Sequence, residues 1–330
     1  MTVTGSAWPS YPLGTWPTPL EPAPRLAGHL GLGTDDLWVK RDDLSGLGGG
    51  GNKVRKLQHT LHQALQDGAA AVVTTGAPQS NHARLTAAAA ARAGLAAVLV
   101  LVGDPPEVPA GNLVLDALLG ARVVWAGDVD GAGLAARAEE EADRMRRDGV
   151  ATAVVPFGGT SVVGARGYVE AAAELLRQAP DLRTVVVAVG SGGTMAGLVH
   201  GLGADAVLGV DTGAVTDPVH RVQELVRGLA AEAGGPGGAG GPVPEHVRVR
   251  TDQVGDGYGT LTDAVRDAMA LVARTEGIVL DPVYSGRAAA GLVAAVADGT
   301  VRRGERTVLL HTGGLPGLFG HPATAGAWAG

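Results

Sequence analysis

The sequence predicts an α/β protein of two lobes, each a mainly parallel twisted sheet with helices on both faces and a ligand cleft between them. Three observations predict it. Short apolar runs rich in Val, Ala and Leu alternate with longer runs of helical spacing along most of the 330 residues. This pattern gives parallel strands covered by helices. The alternation starts afresh near residue 161, after a first complete series. Glycine-rich turns stand where strand runs end and helical runs begin, the place where such sheets collect ligands. One of these turns, "TTGAPQSNH", lies in the middle of the chain, and the others lie toward its two ends. A small domain over 58–162 and a large one from 1–57 plus 163–330 are therefore expected.

The elements follow in order. "LWVKRDD" (37–43) is a strand, and "RKLQHTLHQALQDG" (55–68) has helical spacing and stops at glycine. "AAVVTTGA" (70–77) is a buried strand, and 80–95 is a helix whose start is marked by Ser80 or Asn81. Strand 96–103, helix 112–121, strand 122–127, helix 132–149 and strand 151–159 complete the first series. The second series runs through helix 163–178, strand 183–193, a helix from about Thr194, strand 206–213 and helix 217–233. It ends with helix 260–276, strand 277–283, helix 285–299 and strand 306–314. The stretch "AGGPGGAGGPVPE" (233–245) reads as a mobile surface loop.

Composition narrows the function. The formal net charge is −7 and no basic patch stands out, which argues against nucleic acid as partner. There is no cysteine, so disulfides, thiolate metal sites and a cysteine nucleophile are excluded. No apolar stretch approaches the roughly 20 residues that span a bilayer. The N-terminus lacks the basic-then-apolar pattern of a signal peptide, so a cytoplasmic location is expected.

Four consecutive glycines, Gly48 to Gly51, precede Lys53. A nucleotide-binding P-loop would place the lysine directly after glycine and a Ser or Thr after the lysine. Asn52 and Val54 occupy those positions, so that reading fails. "VVVAVGSGGTMAG" (185–197) is a strand, a glycine turn and a helix start, which together make a cradle for an anion. Met195 stands where the dinucleotide fingerprint needs its third glycine. A single phosphate fits better, with Ser191 or Thr194 adding a hydroxyl. A lysine beside one phosphate cradle suggests pyridoxal phosphate, which needs an amine for its Schiff base and a polar partner for its ring nitrogen. The competing readings are a solvated lysine and a plain tight turn.

The stretches "KRDDLSGLGGGGNKVRKL", "TTGAPQSNHARLTAAAA", "VGSGGTMAGL", "GDGYGT", "LDPVYSGRAAAGL" and "HTGGLPGLFG" occur in this order. Together they resemble the D-cysteine desulfhydrase and aminocyclopropane-carboxylate deaminase family, pyridoxal-phosphate enzymes of the tryptophan-synthase-β fold type. The resemblance runs from about Lys40 to Gly320. It implies that the cofactor sits in the cleft, that Lys53 carries it as a Schiff base, and that Lys56 approaches its phosphate. It implies that Asn81 bonds the phenolic oxygen and that Ser80 holds the substrate carboxylate and relays protons. Gly190, Ser191, Gly192, Gly193 and Thr194 would hold the phosphate. Tyr258 and Tyr284 would line the substrate side, against the alternative of edge-of-core tyrosines with satisfied hydroxyls. A small amino-acid substrate and a homodimer are also implied.

Two positions divide the family's activities. The cyclopropane-opening deaminases resemble "VYEG" and "HLGG", whereas this chain has Ser285 and Thr312 there. A hydroxyl leaves the ring nitrogen less protonated than a carboxylate does, so bond breaking rests more on a good leaving group such as thiolate. D-cysteine elimination is the expected reaction. Cyclopropane opening, cysteate sulfo-lyase activity, a specialised-metabolite C–S lyase and a non-catalytic phosphate-ligand binder are the alternatives. His82 reads either as an active-site acid or as a helix N-terminal histidine. His59 and His62 lack a third ligand, so they read as an exposed helix face and no metal is expected. Asp42 and Asp43 read as braces of the loop before Lys53.

Overall fold

The computed structural model describes residues 8–234 and 244–328. Most of the glycine–proline stretch 233–245, read above as a mobile loop, lies outside the described residues. The strands in chain order are β1 (Leu20–Pro22), β2 (Leu37–Arg41), β3 (Ala71–Gly76), β4 (Ala96–Leu101) and β5 (Arg122–Trp125). They continue with β6 (Thr152–Val155), β7 (Leu182–Val189), β8 (Val207–Asp211), β9 (Arg248–Arg250) and β10 (Arg306–His311). The helices are α1 (Pro24–His29), α2 (Lys53–Gln66), α3 (Asn81–Ala93), α4 (Asn112–Leu118), α5 (Gly131–Arg147) and α6 (Val162–Gln178). The rest are α7 (Gly193–Leu202), α8 (Pro218–Gly234), α9 (Asp263–Glu276), α10 (Ser285–Ala297) and α11 (Leu315–Gly320).

These strands form two parallel sheets flanked by helices, the α/β class that the alternation predicts. The larger has the order β1-β2-β10-β7-β8-β9, and the smaller β5-β4-β3-β6. Only β1 runs antiparallel, at the edge beside β2. Each inner strand is apolar on both sides because helices cover both faces. In the larger sheet, Val186 and Val210 pack with α9 and α10 through Met269 and Leu292. Val185, Val187 and Val189 pack on the other face with Leu175, Met195 and Leu225 of α6, α7 and α8. The smaller sheet is covered by α2, α3 and α4 on one side and by α5 on the other.

The alanine run explains how α3 lies so close to its sheet. Ala83 and Ala87 to Ala90 are all buried, where larger side chains would force the helix away. Ser80 caps this helix by accepting a bond from Ala83 N at 3.1 Å, and Gly94 ends it with φ 73°. Such a cap contributes about 1 kcal/mol.

Two expectations fail. Residues 277–283 form no strand: Gly277 ends α9 in the left-handed region (φ 69°), and Pro282 and Val283 lie in a turn. Pro282 has no N–H to donate, and the Asp281 carboxylate captures the N–H groups of Val283, Tyr284 and Ser285 and turns the chain into α10. His59 is not on an exposed face: it is buried, with Nδ1 3.2 Å from Pro9 O and Nε2 3.3 Å from Glu170. The N-terminal segment covers this side of α2, held by Tyr11 N to Gln58 O at 2.9 Å and Trp16 Nε1 to Gln58 Oε1 at 2.7 Å. Among the described residues no His, Cys, Asp and Glu cluster could hold a metal, and no helix is long and apolar enough to cross a membrane.

Candidate active site

The carboxyl ends of both sheets meet one cleft. Gly76 at the end of β3 and Ala77 after it, Val102 after β4, Pro156 after β6, Ser191 after β7 and Gly213 after β8 all line it, with Lys53 between. The cavity has a volume of about 840 Å³. A narrow recess opens from it, lined by Asn52, Lys53, Lys56, Gly190, Ser191, Gly192, Thr194, Tyr284 and Thr312. All the candidate residues named from sequence except Gly193 and Ser285 line one of these two spaces.

The glycine run before Lys53 is a steric necessity. Gly48 to Gly51 all have positive φ, and at Gly50 a Cβ would stand 1.7 Å from Asp43 O. No other residue lets the chain double back here before entering α2. Lys53 is thereby delivered at the first turn of α2, half-buried, with Nζ 3.1 Å from Asn52 Oδ1 and 5.6 Å from the centre of the Tyr284 ring. Burial lowers its pKa to about 8; the carboxylate of Asp281 opposes the shift and Arg84 adds to it. The chain has only three lysines. Lys40 is buried and paired with Glu174, and Lys56 is buried in the recess, so Lys53 is the lysine facing the cavity.

Lys56 is a buried ammonium without a carboxylate. Its Nζ donates to Thr160 Oγ1 at 3.0 Å and Gly158 O at 3.3 Å, both neutral. Burial, then Lys53 and Arg221, push its pKa well below the ordinary lysine value. A buried cation with only neutral partners is costly unless an anion joins it. The surroundings are built for one. Gly192 (φ 86°) turns the chain into α7, whose first residue, Gly193, stands against Lys56. A Cβ at Gly193 would lie 3.0 Å from both Lys56 Nζ and Thr160 Oγ1, tighter than ordinary contact, so glycine keeps this space open. Ser191 Oγ and Thr160 Oγ1 lie 2.6 Å apart, and Asn52 Nδ2 donates to Thr194 Oγ1 at 3.0 Å. These donors at a helix N-terminus fit a phosphate group.

On the other side of Lys53, α3 points its N-terminus into the cavity. Ser80 Oγ accepts from Ala83 N, which leaves its proton free to donate outward. Asn81 Oδ1 accepts from Asn112 Nδ2 at 3.0 Å and Arg84 Nη2 at 3.3 Å, so its Nδ2 is the group left to donate. His82 is buried, with Nε2 2.7 Å from Thr74 Oγ1, whose own proton goes to Val155 O. Burial, Lys53 and Lys56 hold its pKa well below the usual value. Burial thus favours the neutral ring of His82, which packs against Thr74 while lining the cavity.

Tyr258 and Tyr284 meet hydroxyl to hydroxyl at 2.7 Å, their rings edge-on. Burial raises both phenol pKa values, Tyr284's well above the usual one, so both remain proton donors. Ser285 lies behind the recess: its Oγ donates to Asp281 Oδ1 at 2.5 Å and accepts from Asp281 N at 2.8 Å. Thr312 lines the recess, and its hydroxyl has no partner among the described residues.

Two buried arginines escaped the sequence reading. Arg84 donates to Gly48 O at 2.5 Å and Gly50 O at 2.9 Å, fastening the glycine run to α3. Arg287 donates to Gly257 O at 2.7 Å, Thr260 O at 2.9 Å and Thr212 O, fastening the loop that carries Tyr258. An arginine bonded to carbonyls has no sequence signature, because its partners are backbone. Thr160 did have one: "FGGTS" is a further strand–glycine–helix turn. Asn112, Asn52 and Asp281 were legible only through the structure.

Comparison with known proteins agrees with this geometry. Residues 11–313 match the family described as pyridoxal-phosphate dependent enzyme. A protein of Pyrococcus abyssi, provisionally named a 1-aminocyclopropane-1-carboxylate deaminase, is 40% identical over 328 residues, covering 95% of this chain and 94% of that one. A protein of the same provisional name from Pyrococcus horikoshii is 40% identical over 321 residues, covering 94% of each. The crystal structure of an ACC deaminase homologue, 36% identical, superposes with a TM-score of 0.88 over 98% of this chain and 96% of that one.

Proposed function

The chain belongs to the pyridoxal-phosphate-dependent enzymes, and we propose that within this family it eliminates the β-substituent of a D-amino acid, turning D-cysteine into pyruvate, sulfide and ammonia. The observation that carries this reading is the recess beside Lys53. Its described lining offers hydroxyls, those of Ser191, Thr194, Tyr284 and Thr312, and no carboxylate; Thr312 is the one not assigned to the phosphate or the substrate. Pyridoxal phosphate supplies an electron sink for the substrate's α-carbon, and that sink is strongest when a carboxylate keeps the ring nitrogen protonated. With a neutral hydroxyl there, breaking a carbon–carbon bond of a cyclopropane is disfavoured. A thiolate leaves more readily, since sulfur accepts the electron pair itself.

The residues divide the work as follows. Lys53 would hold the cofactor, and its free amine would take the α-proton; burial lowers its pKa to about 8, toward the range of a working base. Lys56, Ser191, Thr194 and the N–H groups from Gly190 through Gly193 hold the phosphate. Asn81 Nδ2 would donate to the phenolic oxygen. Ser80 Oγ and the N-terminus of α3 hold the substrate carboxylate. Thr312 would be the hydroxyl offered to the ring nitrogen, while the Ser285 hydroxyl is bonded to Asp281 behind the recess. Tyr284, with Tyr258 bonded to it, donates a proton to the departing sulfur.

The reading includes a homodimer, a cytoplasmic location, and a division into a small domain over 58–162 and a large one over 1–57 plus 163–330. The separate sheets support that division. The competing reading is cyclopropane opening, favoured by the names of the two relatives. Side-by-side assays decide between them. Pyruvate and sulfide from D-cysteine, with at least tenfold less ketobutyrate from 1-aminocyclopropane-1-carboxylate, is expected; faster turnover of the cyclopropane would overturn the proposal.

A further inference from the structure

The cavity is far larger than a cysteine side chain needs. At about 840 Å³, near the top of the range for small-molecule sites, it has to seat the cofactor together with the substrate. Its polar groups gather at one end, around Lys53, Ser80, Asn81 and the tyrosine pair. The opposite wall is apolar. Val102, Val129, Leu134, Ala138, Val154 and Phe157 form it, from the ends of β4, β5 and β6 and the first turns of α5. Leu134 and Ala138 are buried in the core beneath, whereas Phe157, also in the lining, is 42% exposed. The only charged side chains on this wall are the exposed carboxylates of Asp130 and Glu139. Among the described lining residues no arginine stands there, and the one lysine is Lys53.

That distribution selects the substituent on sulfur. A sulfonate leaving group would lie against hydrocarbon and two carboxylates, with no second cation to replace its lost water. A bare thiol would leave most of the wall in contact with water. An alkyl or benzyl group on the sulfur would cover it, gaining the favourable transfer of apolar surface. Resting on the elimination proposed above, we propose that the enzyme's substrates are S-alkyl and S-benzyl cysteines, with the apolar substituent seated on the Val129–Leu134–Phe157 wall. The reaction balances without an oxidant: R–S–CH2–CH(NH3+)–COO− and water give R–SH, pyruvate and ammonium. The Cα–H proton goes to the Lys53 amine, the Cβ–S bond breaks with its electron pair on sulfur, and the sulfur takes a proton from Tyr284.

The test has a turnover arm and a binding arm, both on holoenzyme. Pyruvate release is measured from D-cysteine, S-methyl-, S-benzyl-D-cysteine and D-cysteate. The expected kcat/KM for S-benzyl-D-cysteine exceeds that for D-cysteine at least tenfold, mainly through KM, and D-cysteate falls at least tenfold below D-cysteine. In the binding arm, calorimetry compares α-methyl-D-cysteine with its S-benzyl derivative, neither of which has an α-proton to lose. At least tenfold tighter binding of the benzyl compound is expected. Val129→Arg should narrow that gap and raise turnover of D-cysteate relative to S-benzyl-D-cysteine. Elimination from D-cysteine with none from the S-benzyl compound would overturn this inference and leave the elimination reading standing. Ketobutyrate from the cyclopropane with no pyruvate from any cysteine would overturn the elimination reading, and the binding arm would still decide the wall. Equal affinities there, or D-cysteate as the best substrate, would overturn the wall assignment.

Discussion

Arg55 and Lys56 are neighbours on α2, both buried, yet they live in opposite electrostatic worlds. Arg55 faces the base of the helix. It donates to Asp42 through Nε and Nη2, both at 2.9 Å, and to Glu174 through Nη1 at 3.1 Å and Nη2 at 3.0 Å. Lys40 also pairs with Glu174, and Tyr168 donates to Asp42 at 2.5 Å. Two cations and two carboxylates cancel. Arg55 is raised by its carboxylates despite burial, and both carboxylates stay below their usual range. Lys56 and Lys53 face the cleft with no carboxylate bonded to them, and burial lowers both. The comparison teaches where to look for chemistry. Compensated buried charge anchors the helix, and uncompensated buried charge awaits a ligand.

The largest effect should come from breaking the compensated side. Glu174→Gln leaves Lys40 and Arg55 with one carboxylate between them, and losing one partner of a buried ionic cluster costs about 3–5 kcal/mol. Thermal unfolding of the apoprotein should fall by roughly 5–15 °C. An unchanged melting temperature would mean the cluster does not anchor α2.

Lys56→Met should behave in the opposite way. The apoprotein loses a buried charge without a counter-ion, so its melting temperature should hold or rise. Cofactor affinity should drop about 10–100-fold, the worth of a charge-assisted bond of about 1.5–3 kcal/mol, read by absorbance titration. Destabilised apoprotein with unchanged affinity would erase the contrast between the two residues.

The smallest effect is one of pH. Lys53 titrates near 8 instead of the ordinary 10.5. Cofactor uptake by apoprotein should therefore rise through a midpoint near pH 8. Between these two values the unfolded chain binds the extra proton and the folded one does not. Stability of the apoprotein accordingly rises with pH across that window. Uptake with its midpoint near 10 would show that Lys53 is not desolvated.

Much of this was legible in the sequence, for identifiable reasons. Strands such as β7, with four valines among its eight residues, announce themselves because both faces are buried. The glycine run declared Lys53 because that backbone admits no other residue. Short edge strands were not legible: β1 and β9 have three residues each, too few for any periodicity. The stretch 277–283 misled because its apolar content mimics a strand, while Asp281 spends the N–H groups on a turn. His59 misled because its cover comes from the N-terminal segment, far away along the chain. Within the site, the groups that touch ligand carry motifs, whereas Arg84, Asn112 and Arg287 act through carbonyls and amides and carry none.

The account turns on one lysine of three. Borohydride reduction of the holoenzyme, followed by proteolysis and mass spectrometry, would fix the cofactor on whichever lysine holds it, with Lys53→Ala as control. Lys40 is sealed by Glu174 and Lys56 is turned toward Thr160, so the pyridoxyl mass should appear on the peptide containing Lys53, at Lys53 alone, and vanish in the variant along with the visible absorbance. Label on Lys56 or Lys40, or a coloured Lys53→Ala protein, would contradict it.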